Sequence, residues 1–150
     1  DKPDDVSKLA TEIADFDVLS DLKPEFGMKL LNFTFVGYTA NGDSNTHLFM
    51  MQFPKELASD QAEMERQMRE NLKGRLGDDS LNFAQVGTRT VNIRGNEVTV
   101  SVLESSNDSQ SYRQLTGVFD GKSGPTLLVL TLPTSQWDDA AVDQFLQSIR

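Results

Sequence analysis

LNFTFVGYTANGDSNTHLFMMQFP, residues 31–54, is the stretch that decides the fold. Leu31, Phe33 and Phe35 alternate with Asn32, Thr34 and Val36, and the run continues to Tyr38. Asn41-Gly42 follows, a pair that accepts the positive φ angles of a tight hairpin turn. Beyond it, His47, Phe49, Met51 and Phe53 fall on one strand face, and Leu48 and Met50 on the other. Apolar side chains on both faces predict a hairpin inside a sheet, covered on each side. Pro54 ends it.

Downstream, Asp60 and Glu63 form a capping box that opens a helix. Met64, Met68 and Leu72 are its buried stripe, Glu65–Arg69 and Arg66–Glu70 pair on its wet side, and Gly74 and Gly77 stop it. Residues 83–132 hold four strands. Val86 to Ile93 is joined through Gly95-Asn96 to Val98, Val100 and Val102; a polar loop, Ser105 to Ser109, leads to Tyr112–Phe119. Asp120-Gly121 and Gly124-Pro125 then turn the chain into Thr126–Leu132. Such short connections leave no room for helical crossovers, so the pairing is antiparallel. The last strand is apolar on both faces, which predicts a central place. Thr134 or Ser135 caps a final helix whose stripe is Val142, Phe145, Leu146 and Ile149. Upstream, Val6, Leu9, Ala10 and Ile13 mark a short helix capped by Asp4 or Asp5, and Phe16 and Val18 a short strand before a turn at Pro24.

The expectation is one α+β domain over residues 1–150, an antiparallel sheet of six to seven strands flanked by two to three helices. A chain of 150 residues buries enough surface to need no metal or disulfide for its core. With no cysteine, disulfides, thiolate metal sites and a cysteine nucleophile are excluded. The net charge of −9 disfavours nucleic acid and anionic membrane surfaces as partners. Residues 1–22 carry seven acids against two bases and read as an acidic leader or helix, solvated and joined to something upstream. The first residue is Asp1 rather than methionine, which is compatible with a removed signal peptide or anchor.

The order of elements is similar to that of the PsbP-like superfamily, which includes the photosystem accessory protein PsbP, a Ran-binding nuclear import factor and DcrB-like bacterial lipoproteins. The residues that carry the resemblance are the hairpin Phe33-Thr34-Phe35 through Phe49-Met50-Met51-Gln52-Phe53-Pro54, and the closing Leu128-Val129-Leu130, Trp137 and Phe145-Leu146-Gln147-Ser148-Ile149. The resemblance implies a PsbP-like architecture and a non-enzymatic binding role. It transfers no functional residue.

Each chemical motif has a plainer explanation. Gly117-Val118-Phe119-Asp120-Gly121-Lys122-Ser123 is one residue short of a phosphate loop and lies between strands, so no helix N-terminus is there to hold phosphates. Asn41, Asp43 and Asn45 have the alternate spacing of calcium ligands, but Thr46 and Gln52 stand where that loop needs glycine and glutamate. The acidic pairs Asp4-Asp5, Asp78-Asp79 and Asp138-Asp139 sit at helix starts or turns, where they cap and complement the dipole. Asn32-Phe33-Thr34, inside the expected strand, and Asn107-Asp108-Ser109 match the glycosylation sequon without further support. His47 is the single histidine; a general base is the sharp reading and a hydrogen-bonded structural residue the plain one. Arg89, Tyr112 and Arg113 are the strand residues best suited to bind a ligand.

The expected function is a non-catalytic ligand- or protein-binding domain of an exported or membrane-anchored bacterial protein, extracytoplasmic rather than cytoplasmic. Its partner is a small molecule or a protein, without cofactor, metal or direct membrane-surface binding. The alternatives are a small hydrolase or lyase using His47 or a nearby carboxylate, and a structural or assembly module.

Overall fold

All nine residues of the strand Pro125–Pro133 are buried, and this strand occupies the middle of the sheet. The computed structural model describes residues 2–71, 81–106 and 109–150. In chain order they form α1 (Pro3–Ala10), β1 (Leu22–Leu30), β2 (Phe33–Ala40), β3 (Asp43–Gln52), α2 (Gln61–Asn71), β4 (Ala84–Ile93), β5 (Asn96–Ser106), β6 (Ser111–Asp120), β7 (Pro125–Pro133) and α3 (Asp139–Ser148). Short 3₁₀ turns at Lys55–Leu57 and Thr134–Gln136 follow β3 and β7. The seven strands pair antiparallel in the order β1-β2-β3-β7-β6-β5-β4, so the expected α+β class is observed.

Alternation along these strands builds two apolar layers. On one face Val36, Tyr38, Leu48, Met50, Val100, Leu115, Leu128 and Leu130 meet Val6 and Ala10 of α1 and Val142, Phe145 and Leu146 of α3. On the other, Phe26, Phe35, Phe49, Met51, Phe53, Leu127 and Val129 pack with Met64 of α2. The part of this second face built by β4–β6 is more polar: Thr88, Thr90 and Thr99 are exposed and Ser101 and Thr116 half-buried, alongside the half-buried Leu103 and Val118. Two glycines seat large neighbours: a Cβ at Gly37 would overlap the Phe26 ring, and one at Gly117 would press into Val100.

The hairpin through Asn41-Gly42 forms as expected, with Gly42 at φ 82°. Several boundaries differ from expectation. Phe16 and Val18 form no strand; Phe16 instead sets its ring edge-on against Tyr38 and Phe145 at 5.8 and 6.1 Å. Pro24 makes no turn but lies within the edge strand β1, next to a register shift, where a missing N–H is tolerated. The turn falls at Leu31-Asn32, so Leu31 is 83% exposed rather than buried. Asn32 therefore lies in a turn and not inside a strand. The β4–β5 turn centres on Arg94-Gly95, both with positive φ, and Asn96 already pairs with Ile93. Ser105 and Ser106 extend β5 by pairing with Tyr112 and Ser111, and the rest of the expected loop lies largely outside the described residues.

Neither aspartate caps α1: its N-cap is Lys2, with Pro3 in the first turn. Thr134 and Ser135 form a 3₁₀ turn, and Asp138 caps α3 through the amides of Ala140 and Ala141. Asp60 caps α2 through the Glu63 amide, and Arg66 bridges Glu63 and Glu70 on its exposed side. Leu72, Gly74, Gly77 and Asp78-Asp79, and the side chains of Glu65, Met68 and Arg69, lie outside the described residues. The acidic leader packs through its apolar side, with Val6, Ala10, Ile13, Ala14 and Leu22 buried in the helical layer, while Asp4, Asp5, Glu12, Asp15, Asp17 and Asp21 stay exposed.

Phe145 is 2% exposed at the centre of that layer. Phe145→Ala should lower the unfolding free energy by about 3–5 kcal/mol, read from urea denaturation. Gly37→Ala should cost about 1–3 kcal/mol, because the Phe26 ring must shift to admit a methyl group.

Candidate functional site

Strand alternation separates the three ligand candidates. Arg89 pairs with Val100 and Arg113 with Glu104, which places both on the helical face; Tyr112, opposite Ser105, is on the other. Each is already engaged. Arg89 bonds Asp143 of α3 at 2.6 Å, and Arg113 bonds Glu104 at 2.7 Å with its guanidinium 5.7 Å from the Trp137 ring centroid. Tyr112 is buried, with its hydroxyl 3.3 Å from the Asp43 carboxylate. The structure does not bring these three together.

Asp43 and His47 meet in the irregular start of β3, where the register jumps between Thr39–His47 and Ala40–Asp43. The extra residues leave backbone groups without ladder partners, and local side chains satisfy them. The Asp43 carboxylate accepts from the Asn45 amide at 3.0 Å and the Thr46 hydroxyl at 2.7 Å. His47 Nδ1 lies 2.9 Å from the Ser44 carbonyl. A carbonyl only accepts, so Nδ1 carries the proton of a neutral ring. That ring is 3% exposed and stacks on Phe49 with centroids 4.3 Å apart. Burial depresses its pKa from 6.5 to about 4, opposed by the Ser44 hydrogen bond and the Asp43 charge. The calcium-like spacing of Asn41, Asp43 and Asn45 thus corresponds to a side-chain-closed bulge.

A hollow of ligand size lies elsewhere. A cleft of about 500 Å³ opens between α1, residues 14–18, β1 and β2. Ala10, Ala14, Phe16, Val18, Leu22 and Pro24 make its apolar wall, and Ser7, Thr11, Asp15, Tyr38 and Arg150 contribute polar groups. Tyr38 is 4% exposed; burial raises its pKa, partly offset by a hydrogen bond with Ser7, so the phenol stays neutral and able to donate. Asp15 pairs with Lys122 at 3.1 Å, and the Arg150 guanidinium stands 3.7 Å from Asp17. Reciprocal backbone bonds of 2.9 and 2.8 Å between Asp15 and Arg150 hold this side of the cleft together. Lys23 also lines it, but its register opposite Thr39 directs its side chain toward the other face.

No local motif announces the cleft, because its lining runs from Ser7 to Arg150. Phe16 and Val18 were its one visible trace, two apolar residues among acids. The chain matches no family model and no curated protein.

The His47 environment fixes a pH dependence. The unfolded ring gains a proton near pH 6.5, whereas the folded one resists until about pH 4. Its contribution to stability is complete above pH 6.5 and is lost as the pH falls toward 4, by roughly 3 kcal/mol in total. His47→Gln should remove that slope; urea titrations of both proteins between pH 7 and 4 measure the difference.

Proposed function

We propose that this domain is a non-catalytic binding module that takes a small amphipathic molecule into the cleft beside α1. The observation that carries the proposal is the lining itself: a continuous apolar wall facing a few polar groups, with the neutral Tyr38 phenol held by Ser7. That is the composition of ligand sites in general. An apolar body would lie along Phe16, Val18 and Leu22, while a polar end meets Tyr38, Thr11 or Arg150. The placement of His47 supports a non-catalytic role. Its ring is buried, committed to Ser44 and on the sheet face opposite the cleft. The PsbP-like order of elements supports the same reading, within an exported or membrane-anchored bacterial protein.

A thermal-shift screen of small amphipathic acids, alcohols and amides tests it. A true ligand at a hundred times its Kd should stabilise the fold by about 2.7 kcal/mol. Thr11→Trp, an exposed position on the rim, should abolish the shift, and Tyr38→Phe should weaken binding by roughly tenfold through one lost hydrogen bond. A shift that survives Thr11→Trp would place the ligand elsewhere. A turnover that collapses in His47→Ala with the fold intact would favour a hydrolase or lyase instead.

A further inference from the structure

On the helical face of the sheet, the apolar row Val36, Met50 and Leu128 is followed by a polar one. Thr34 of β2 stands opposite Gln52 of β3, and Gln52 opposite Thr126 of β7, and all three are buried. Polar groups at this depth are ordinarily hydrogen-bonded. Thr126 donates to the Gly124 carbonyl, and the Gln52 side-chain oxygen accepts the Ser123 amide at 2.9 Å. Gln52 Nε2 gives one hydrogen to the Glu12 carbonyl at 3.3 Å and keeps the other. The Thr34 hydroxyl, on a residue only 3% exposed, has no hydrogen-bond partner among the described residues.

Thr34 and Gln52 line a hollow of about 360 Å³ that is separate from the cleft: Thr11 lines the cleft, and its neighbour Glu12 lines the hollow. The Gln52 carboxamide is held in place, since a Cβ at Gly121 would overlap its oxygen. Leu31 and Pro54 supply apolar sides. Leu31 does so at φ 55°, a left-handed conformation that is costly for leucine and that tends to persist where a site uses it. Four charges surround the mouth. Lys29 and Glu12 are paired, whereas Lys55 and Glu56, both exposed on the 3₁₀ turn after β3, form no ion pair among the described residues.

We propose that this hollow binds a small zwitterion, a free α-amino acid, whose carboxylate is taken by the Thr34 hydroxyl and Lys55 and whose ammonium is taken by Glu56. The volume is at the low end for ligand pockets and suits a molecule of that size. Charge narrows the class. A chain of net −9 repels a simple anion, and a simple cation leaves the Thr34 hydroxyl and Lys55 unanswered. A dipolar molecule meets both of the adjacent unpaired charges and carries no net repulsion. The mostly polar lining disfavours an apolar ligand, and no aromatic ring is there to stack on a sugar. This site is independent of the cleft and of any ligand there.

The test is an amide-resolved NMR titration of the intact chain with each standard amino acid at millimolar concentration. At least one should shift the amides of Thr34, Gln52 and Ser123 together. Its N-acetyl derivative, which lacks the cation, and its α-carboxamide, which lacks the anion, should each bind about tenfold more weakly or worse. Thr34→Val keeps the shape and the β-branch while removing a hydroxyl that has no partner, so it should melt at the same temperature or higher. It should nonetheless weaken binding about tenfold, as should Lys55→Gln at its exposed position. No amino acid moving these three amides, or equal binding to both variants, would overturn the proposal. Equal binding of the N-acetyl derivative would make the hollow a plain carboxylate site and overturn the zwitterion assignment. Shifts confined to Thr11, Phe16 and Tyr38 would place the amino acid in the cleft instead and overturn the hollow as its site.

Discussion

Strand β7 has no side that faces water. Its nine residues must be covered above and below, and the rest of the molecule is arranged around that requirement. Antiparallel sheets commonly leave one face solvated, but this one carries an apolar layer on each face of its central strands. The N-terminal helix and the C-terminal helix cover one side, and Met64 of α2 with Leu57 of the preceding 3₁₀ turn pack on the other. Coverage fades toward β4–β6, where hydroxyl side chains take over the second face.

Because side-chain parity is a local property, most of this was legible in the sequence. Runs such as 33–38, 47–53 and 126–132 show their two-sided burial directly, and the short connections settle the antiparallel pairing. What escaped was decided by partners distant in sequence. Leu31 continues the apolar alternation of Phe33 and Phe35, yet β1 pairs with β2 so closely that the turn must fall on Leu31 itself. Phe16 and Val18 have strand-like spacing but no strand to pair with; Phe16 instead sets its ring against Tyr38 of β2 and Phe145 of α3. Asp138 outcompetes Thr134 and Ser135 as the cap because the chain leaves β7 through a 3₁₀ turn first.

The site was legible only in negative form. The failed phosphate and calcium templates do correspond to a turn and a bulge. Arg89, Tyr112 and Arg113 looked ligand-ready because a polar residue on a strand carries no sign of its cross-strand neighbour. In the fold Asp143, Glu104 and Asp43 already occupy them. The cleft was invisible for a related reason: its floor, wall and rim come from segments that meet only after α1 docks on β1 and β2. His47 carried a real signal, a polar residue among apolar ones, and its geometry is that of a bulge clasp.

The strand order also divides the sheet into two meanders, β1-β2-β3 and β4-β5-β6-β7, whose strands pair with each other only between β3 and β7. Within each meander every pairing is between neighbours in sequence, so each can assemble through short loops. This β3–β7 seam joins residues roughly seventy or more positions apart, and its closure entropy must be met before any seam contact forms. Until then β3 and β7, the two strands with the most buried residues in the finished sheet, are open edges with unpaired amides and carbonyls. Closing this seam carries the largest loop-closure cost of any strand pairing in the sheet. Its delay is also the moment when two nascent copies have most to gain by pairing with each other.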